Sequence, residues 1–109
     1  MVTNKRETAQ AVFKAIADPT RRQILHLLRP GGQTVGRIAS NFRTSRPAIS
    51  RHLRLLRSAG LVATRKRGTE RICELNGSPL RAVNDWLKEY EIFWDQNLRH
   101  LKQFVEENP

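Results

Sequence analysis

The sequence of 109 residues contains a single cysteine, Cys73, and no long apolar run. One thiol cannot form a disulfide within the chain, which fits a reducing cytoplasm. No stretch approaches the roughly 20 apolar residues that a transmembrane helix needs. The first ten residues, MVTNKRETAQ, do not have the apolar core of a signal peptide. We therefore expect a cytoplasmic protein with no membrane partner.

Acidic residues are also scarce, with 10 against 20 lysines and arginines, which gives a net charge of +10. The imbalance is unevenly distributed along the chain. Residues 1–78 carry a net charge of +12, whereas residues 79–109 carry −2. A scattered positive charge would indicate only solubility. This clustering indicates a surface that binds a polyanion, and a nucleic acid in particular.

Recognisable catalytic motifs are missing as well. The sequence has no glycine-rich phosphate loop, no nucleophile elbow and no plausible pair of catalytic carboxylates. The three histidines and the cysteine are not spaced as metal ligands; they are His26, His52, His100 and Cys73. We therefore predict that the protein is not an enzyme and has neither a cofactor nor a metal site. Cys73 is expected to be structural, with a redox switch as the alternative.

The chain does contain a series of short amphipathic segments with helix caps between them. Apolar spacing predicts a helix over residues 5–17, and three more that follow the caps Asp18, Thr34 and Ser45. A hairpin is predicted over residues 61–75, with its turn at Gly68. Ser78 is predicted to cap the C-terminal part, which reads as one long helix or two in series.

The segment from Thr34 to Leu75 is the most informative one. Its second helix directs Ile49, Leu53 and Leu56 inward, while its other side carries serines and arginines. Such a helix, followed by a basic hairpin, is suited to a DNA major groove and is the pattern of a winged helix-turn-helix. We predict a single domain over residues 1–109, mainly α with a small β-hairpin wing, in the order α-α-α-α-β-β-α, as a homodimer.

Double-stranded DNA is the predicted partner of this helix and of the wing. Arg46 lies near the N-terminal end of the helix, where an arginine suits O6 and N7 of guanine. Adjacent strand residues face opposite ways, so Arg67, nearest the wing tip, is the best placed of the wing cations. His52 is left open between a phosphate contact and a packed side chain. The predicted DNA-binding residues are Ser45, Arg46, Pro47, Ser50, Arg51, Arg54, Arg65, Lys66, Arg67 and Arg71.

Apolar and aromatic residues of the tail fall on one heptad-like seam, which predicts a helix that dimerises. Residues 1–17 and 79–109 are therefore expected to contribute dimerisation helices. A small apolar ligand pocket between subunits is the alternative use of the aromatic residues. The predicted dimer interface is Val12, Phe13, Ile16, Trp86, Leu87, Tyr90, Phe93, Trp94, Leu101 and Phe104.

Residues 13–75 resemble the ArsR/SmtB family of bacterial winged-helix repressors. The segments that carry the resemblance are FKAIADPTRRQILHLL, TVGRIAS, TSRPAISRHLRLLRSAGLV and RKRGTERICEL. The resemblance implies a homodimer that binds operator DNA and usually represses transcription. Metal-sensing members have a Cys-x-Cys motif where this chain reads Thr34 to Arg37, or several ligands in the tail, where it has only His100. The chain is similar to the subgroup without metal motifs, and an unidentified small-molecule effector stays open.

Two functions are therefore carried forward. The first is a sequence-specific, dimeric repressor that binds an inverted-repeat operator. The alternative is a non-specific architectural or RNA-binding basic protein, although RNA-binding modules usually expose aromatics for stacking and here the aromatics concentrate in the tail. The ratio of specific to random-duplex affinity discriminates between them.

Overall fold

The computed structural model of the protein describes residues 5–108, and in that range the chain forms five α-helices and a three-stranded sheet. The elements in chain order are α1 (Lys5–Ile16), α2 (Pro19–Leu28), β1 (Gln33–Thr34), α3 (Val35–Ala39), α4 (Arg46–Ser58), β2 (Val62–Arg67), β3 (Glu70–Leu75), a 3-10 turn (Ser78–Leu80) and α5 (Arg81–Glu107). The mainly α winged helix-turn-helix predicted from the sequence is confirmed, and the tail is a single helix.

The sheet has one strand more than predicted. β1 pairs antiparallel with β3, so that the strand order is β1-β3-β2. Two residues are too few to show a strand periodicity in the sequence. Thr34 ends this strand and also caps α3, because its Oγ1 accepts a hydrogen bond from the backbone N–H of Arg37 at 3.2 Å. The wing is thereby joined directly to the start of the helix-turn-helix.

Side-chain caps begin α2 and α4 as predicted. Asp18 Oδ2 accepts from the backbone N–H of Arg21 at 3.0 Å, and Ser45 Oγ accepts from that of Ala48 at 3.3 Å. The prediction for Ser78 is wrong, because this residue lies inside the 3-10 turn and no side chain caps that turn or α5. The N–H of Leu80 donates to the carbonyl of Gly77 at 3.0 Å, and the N–H of Ser78 donates to Oδ1 of Asn76 at 3.4 Å.

The end of α4 is set by Gly60, which has a φ of 77°. Its N–H donates to the carbonyl of Arg57 at 2.9 Å, and the N–H of Leu61 donates to that of Leu56, also at 2.9 Å. These two bonds form a Schellman motif, which glycine allows because it has no Cβ to strain the left-handed backbone. Leu61 is fully buried beneath the motif, and the chain leads directly into β2.

One hydrophobic core connects α1, α2, α3, α4 and the sheet. Val12 belongs to this core and is 0% exposed within one chain, so its assignment to the dimer interface is wrong. A helix rotates about 100° per residue, so Val12 faces inward while its neighbour Phe13 faces α5. The side chains most completely buried are Val12, Ile24, Leu28, Ile38, Ile49, Leu53, Leu56, Leu61 and Cys73.

Helix α5 extends away from this core. It has 27 residues and a length of about 40 Å, and none of its residues is buried. The radius of gyration is 18.8 Å, against about 13 Å for a compact chain of this size, because α5 projects from the rest. No helix within residues 5–108 is both long enough and apolar enough to cross a membrane.

Candidate DNA-binding surface

The rotation of α4 is fixed by its apolar side. Ile49, Leu53 and Leu56 are buried as predicted, so the residues diametrically opposite face outward. Pro47, Arg51 and Arg54 recur there at three- and four-residue intervals, and all are exposed. The outer side of α4 therefore presents two exposed arginines, Arg51 and Arg54, about one turn apart.

Arg46 does not share that outer side. The carbon and both terminal nitrogens of its guanidinium lie 3.8 Å from the position that a Cβ on Gly36 would occupy, so the side chain extends along α3. A cleft of about 470 Å³ lies beside it, between α3 and the wing, and Arg71 of β3 lines the same cleft. The structure thus brings Arg46 together with a wing residue, which the sequence alone did not indicate.

The strand register divides the four wing cations into two pairs. Lys66 is opposite Arg71, whereas Arg67 is opposite Glu70 and Arg65 is opposite Ile72. Side chains of directly paired residues project on the same side of a sheet, and the side alternates along each strand. Lys66 and Arg71 therefore project on one side of the wing, and Arg65 and Arg67 project on the other.

The two sides of the wing also differ in their charge balance. Arg65 forms an ion pair with Glu74, and Arg67 has a carboxylate directly across from it. Lys66 and Arg71 face each other as like charges, an arrangement that destabilises a strand pair. An anion bound between them would remove that repulsion. The side of the wing that carries Lys66 and Arg71 is therefore the one suited to a phosphate.

The serines of α4 take different positions. The Oγ of Ser45 already accepts one hydrogen bond as the cap of the helix, so its O–H and its second lone pair remain for DNA. Ser50 is half-buried at the side of the helix. Both lie near the surface that the arginines define; Ser45 is exposed, as Arg51 is, whereas Ser50 is less accessible.

His52 lies in a polar network inside the chain. Its Nδ1 is 3.3 Å from Nη1 of Arg21 and 4.0 Å from Oδ2 of Asp18. The hydrogen bond from the Arg21 backbone is the main reason why the pKa of the Asp18 carboxyl is lowered from 3.8, and the nearby His52 lowers it further. These contacts favour the packed interpretation of His52. Sequence reasoning missed the network, since 31 positions separate Arg21 from its partner.

Cys73 is fully buried in β3. Burial raises the pKa of its thiol, and the positive charge of Arg57 opposes that shift only in part. A buried thiol with a raised pKa is a poor nucleophile, so the structural role is favoured over the redox switch. Across the described residues, no three histidine, cysteine or acidic side chains come together as a metal site would require.

The tail presents the other candidate surface. Trp86 contacts Phe13 of α1 edge to face, with ring centroids 5.6 Å apart, and the stack continues through Tyr90 to Phe93. Most large apolar side chains of α5 are not covered by other parts of the same chain. Those that remain exposed on this helix are Trp86, Tyr90, Ile92, Phe93, Trp94, Leu98, Leu101, Phe104 and Val105.

Comparisons with known proteins give one result. The sequence model described as "Bacterial regulatory protein, arsR family" matches residues 18–64. The transcriptional repressor SdpR of Bacillus subtilis is 42% identical over 79 residues, covering 72% of this chain and 88% of SdpR.

Solved structures give the same result. The ArsR family transcriptional regulator RHA00566 superposes with a TM-score of 0.73 at 36% identity, covering 82% of this chain and 98% of that one. The homodimeric winged helix-turn-helix DNA-binding domain of Mb0332 from Mycobacterium bovis has a TM-score of 0.63 at 29% identity, covering 90% and 93%. The chain belongs to the arsR family of bacterial regulatory proteins and is a DNA-binding transcriptional regulator, not an enzyme.

Proposed function

We propose that the protein is a homodimeric repressor whose two α4 helices enter successive major grooves of an inverted-repeat operator. The observation that carries this proposal is the grouping of cations around α4: Arg51 and Arg54 on its outer side, with Arg46 and Arg71 in the adjoining cleft. The name of SdpR supports repression, and the homodimeric state of Mb0332 supports a dimer. A regulator of this kind acts in the cytoplasm, where it reaches chromosomal DNA.

The dimer is proposed to form through α5. Its apolar face continues for several turns beyond the part that contacts α1, and a monomer would leave this face in water. A two-fold contact, with the same helix on both sides, covers the face on each subunit at once. Phe13 and Ile16 of α1 pack beside this contact. Val12 lies in the core and contributes only by holding α1 in place.

The proposed roles of the cations follow from their positions. Arg51 and Arg54 face the major groove. When DNA binds, the side chain of Arg46 moves from α3 to a base edge at the N-terminal end of α4. Lys66 and Arg71 hold a backbone phosphate between the wing and the recognition helix. Arg65 and Arg67 contribute less, because Glu74 and Glu70 stand next to them. This replaces the expectation that Arg67 is the main wing contact.

The primary experiment is selection of bound duplexes from a random pool, followed by titration of the selected site against a scrambled control. We expect an inverted repeat whose half-sites lie about one helical turn apart, or a multiple of it. Affinity should fall steeply with salt, because several phosphate contacts release counterions. Equal affinity for the scrambled duplex, or a flat salt response, would instead indicate the non-specific basic protein.

A matched pair of variants tests the wing. Arg71→Gln should weaken specific and random DNA alike and reduce the salt slope by about one, because it removes one phosphate contact. Arg67→Gln removes the same charge from the opposite side of the same ribbon and should have a smaller effect on both. Equal losses in the two variants would contradict the assignment of faces.

Arg46→Ala tests base readout. We expect a loss of roughly 1–3 kcal/mol and a relaxed preference at one base position. Unchanged base preference would show that Arg46 stays on α3.

A reporter gene downstream of the selected operator then decides the direction of regulation, since repression requires higher expression in a strain without the protein. Release of the operator by small molecules is tested in the same assay.

A further inference from the structure

Helix α1 and the recognition helix α4 are joined by an arginine that belongs to neither. Arg21, in the first turn of α2, donates from Nε to the carbonyl of Ala15 at 2.6 Å and from Nη2 to that of Lys14 at 3.1 Å. Its remaining terminal nitrogen, Nη1, lies 3.3 Å from Nδ1 of His52. One guanidinium thus connects the C-terminal turn of α1 with the middle of α4.

We propose that Arg21 is a positioning residue for operator binding: it fixes the angle of α4 relative to α1, and thereby relative to the second subunit. The proposal rests on the proposed function, in which α4 reads DNA and α1 supports the dimer contact. Arg21 itself is half-buried behind α4, away from Arg51 and Arg54, and acts through His52.

Side-chain packing between α1 and α4 is incomplete on the side where Arg21 lies. The two helices share the core through Val12 and Leu56, but a cleft of about 210 Å³ opens between them beside Arg21 and is lined mainly by small residues. Leu55 also lines it and is still partly exposed. The cleft removes close contacts on this side, so the polar link adds a constraint on the interhelical angle that packing there does not supply.

The chemistry of arginine suits the position. Its planar group donates in several fixed directions at once, so two hydrogen bonds to α1 determine where the third nitrogen points. The carbonyls of Lys14 and Ala15 lie at the negative end of α1, which attracts a cation. Asp18 Oδ2 accepts from the backbone N–H of Arg21 at 3.0 Å, which fixes the place of the arginine at the start of α2. The link itself needs the neutral form of His52, in which Nδ1 can accept from the guanidinium.

The neighbouring arginine provides a matched control. Arg22 donates from Nη1 to the carbonyls of Ile16 at 2.8 Å and Ala17 at 3.2 Å, at the same end of α1. Within the described residues its side-chain hydrogen bonds go to that end of α1, and it is more exposed than Arg21. Arg22→Gln therefore removes a cap of α1 and one positive charge without touching the link to α4.

Loss of the link has a specific expected effect. A single α4 can still adjust to a single half-site, so affinity for a duplex with one half-site should stay near the wild-type value. Two α4 helices must match two grooves at once, and a less defined angle reduces the benefit of the second contact. The ratio of the two affinities separates a positioning role from a merely structural one.

The test measures binding of both duplexes at several salt concentrations for wild type, Arg21→Gln, Arg22→Gln, His52→Ala and the Arg21/His52 double variant. Arg21→Gln should weaken the complete operator by about tenfold, as expected when the charged hydrogen bond that reaches α4 at His52 is lost. The salt slope should not change, because no phosphate contact is removed. The double variant should be no weaker than either single variant, since both changes break one link.

Equal losses on the two duplexes, or the same loss in Arg22→Gln, would overturn the proposal. His52→Ala breaks the link from the other end and carries the test if Arg21→Gln does not fold.

A DNA-free measurement adds a second readout: spin labels on Arg54→Cys report the distance between the two α4 helices, and the only native thiol, Cys73, is buried. Arg21→Gln should broaden that distance distribution, and an unchanged width would also overturn the proposal. If wild type does not discriminate the operator from scrambled DNA, the proposed function fails, but the spin-label result still decides the role of Arg21.

Discussion

Residues 5–80 and helix α5 use their apolar side chains in opposite ways. In residues 5–80 most large apolar side chains converge on one core, where Ile49, Leu53 and Leu61 are almost completely buried. In α5 no residue is buried within one chain, although most of its apolar residues share one face. The first region completes its structure alone, whereas the second requires another surface.

Net charge follows the same division. Residues 1–78 carry +12, and residues 79–109 carry −2. Two copies of the basic region would repel each other, while two slightly acidic tails would meet with little electrostatic opposition. In the proposed assembly, affinity for a polyanion and self-association, which conflict on one surface, therefore belong to two different regions of the chain.

The strongest test of this division places a charge on the apolar face of α5. Leu101→Asp should shift the protein from dimer to monomer and weaken operator binding by roughly a hundredfold or more, because the second half-site contact is lost. Sedimentation equilibrium and operator titration measure the two effects. The fold of residues 5–80 should persist in the monomer.

Ile92→Asp is the control for that variant. Ile92 is 61% exposed and Leu101 is 59% exposed, but nine residues of helix place them about 180° apart. Ile92→Asp should therefore leave assembly and DNA affinity close to wild type. A monomer in both variants, or in neither, would show that the face defined by Leu101 is not the dimer contact.

A second test compares a truncation in each region. Leu53→Ala should lower the free energy of unfolding by about 3 kcal/mol, because it opens a cavity in a closed core. Leu98→Ala on α5 should cost less, and its cost should depend on protein concentration, since Leu98 is exposed in one chain and would be covered by the proposed dimer contact. Urea unfolding at two protein concentrations checks both. If the loss of unfolding free energy in Leu53→Ala also depended on protein concentration, the two regions would not differ in the way proposed.

The smallest expected effect concerns the cap of α2. The pKa of the Asp18 carboxyl is lowered in the folded chain, so its ionised form stabilises the fold. That contribution is complete above the ordinary value of 3.8 and is lost as the pH falls through the lower, folded value. Asp18→Asn keeps a capping side chain but should flatten the decline in stability as the pH falls below 3.8, in proportion to this one group. An identical decline in the variant would exclude Asp18 as a contributor.

Much of the fold could be predicted because its signals are local. Helix periodicity and the caps Asp18, Thr34 and Ser45 determine most element boundaries, and the inward trio of α4 follows from spacing alone. The remaining features depend on residues that are distant in sequence. Strand β1 exists only because β3 lies beside it, and the side chain of Arg46 lies against Gly36 of α3.

The candidate site was predictable as a surface but not as an arrangement. Composition and spacing indicated which helix and which hairpin carry the cations. They could not show that the register separates Lys66 and Arg71 from Arg65 and Arg67, because that depends on the strand pairing. The proposed use of each residue in DNA binding and dimerisation stays a prediction.

The short pairing of β1 with β3 has a consequence for how DNA is read. Since Thr34 belongs to this strand and also starts α3, the wing and the helix-turn-helix form one hydrogen-bonded unit before any duplex arrives. Little conformational entropy then remains to be lost when they engage DNA. If this unit stays rigid on DNA, the duplex has to make the adjustment, and we therefore expect groove width and ease of bending between the half-sites to contribute to operator selection.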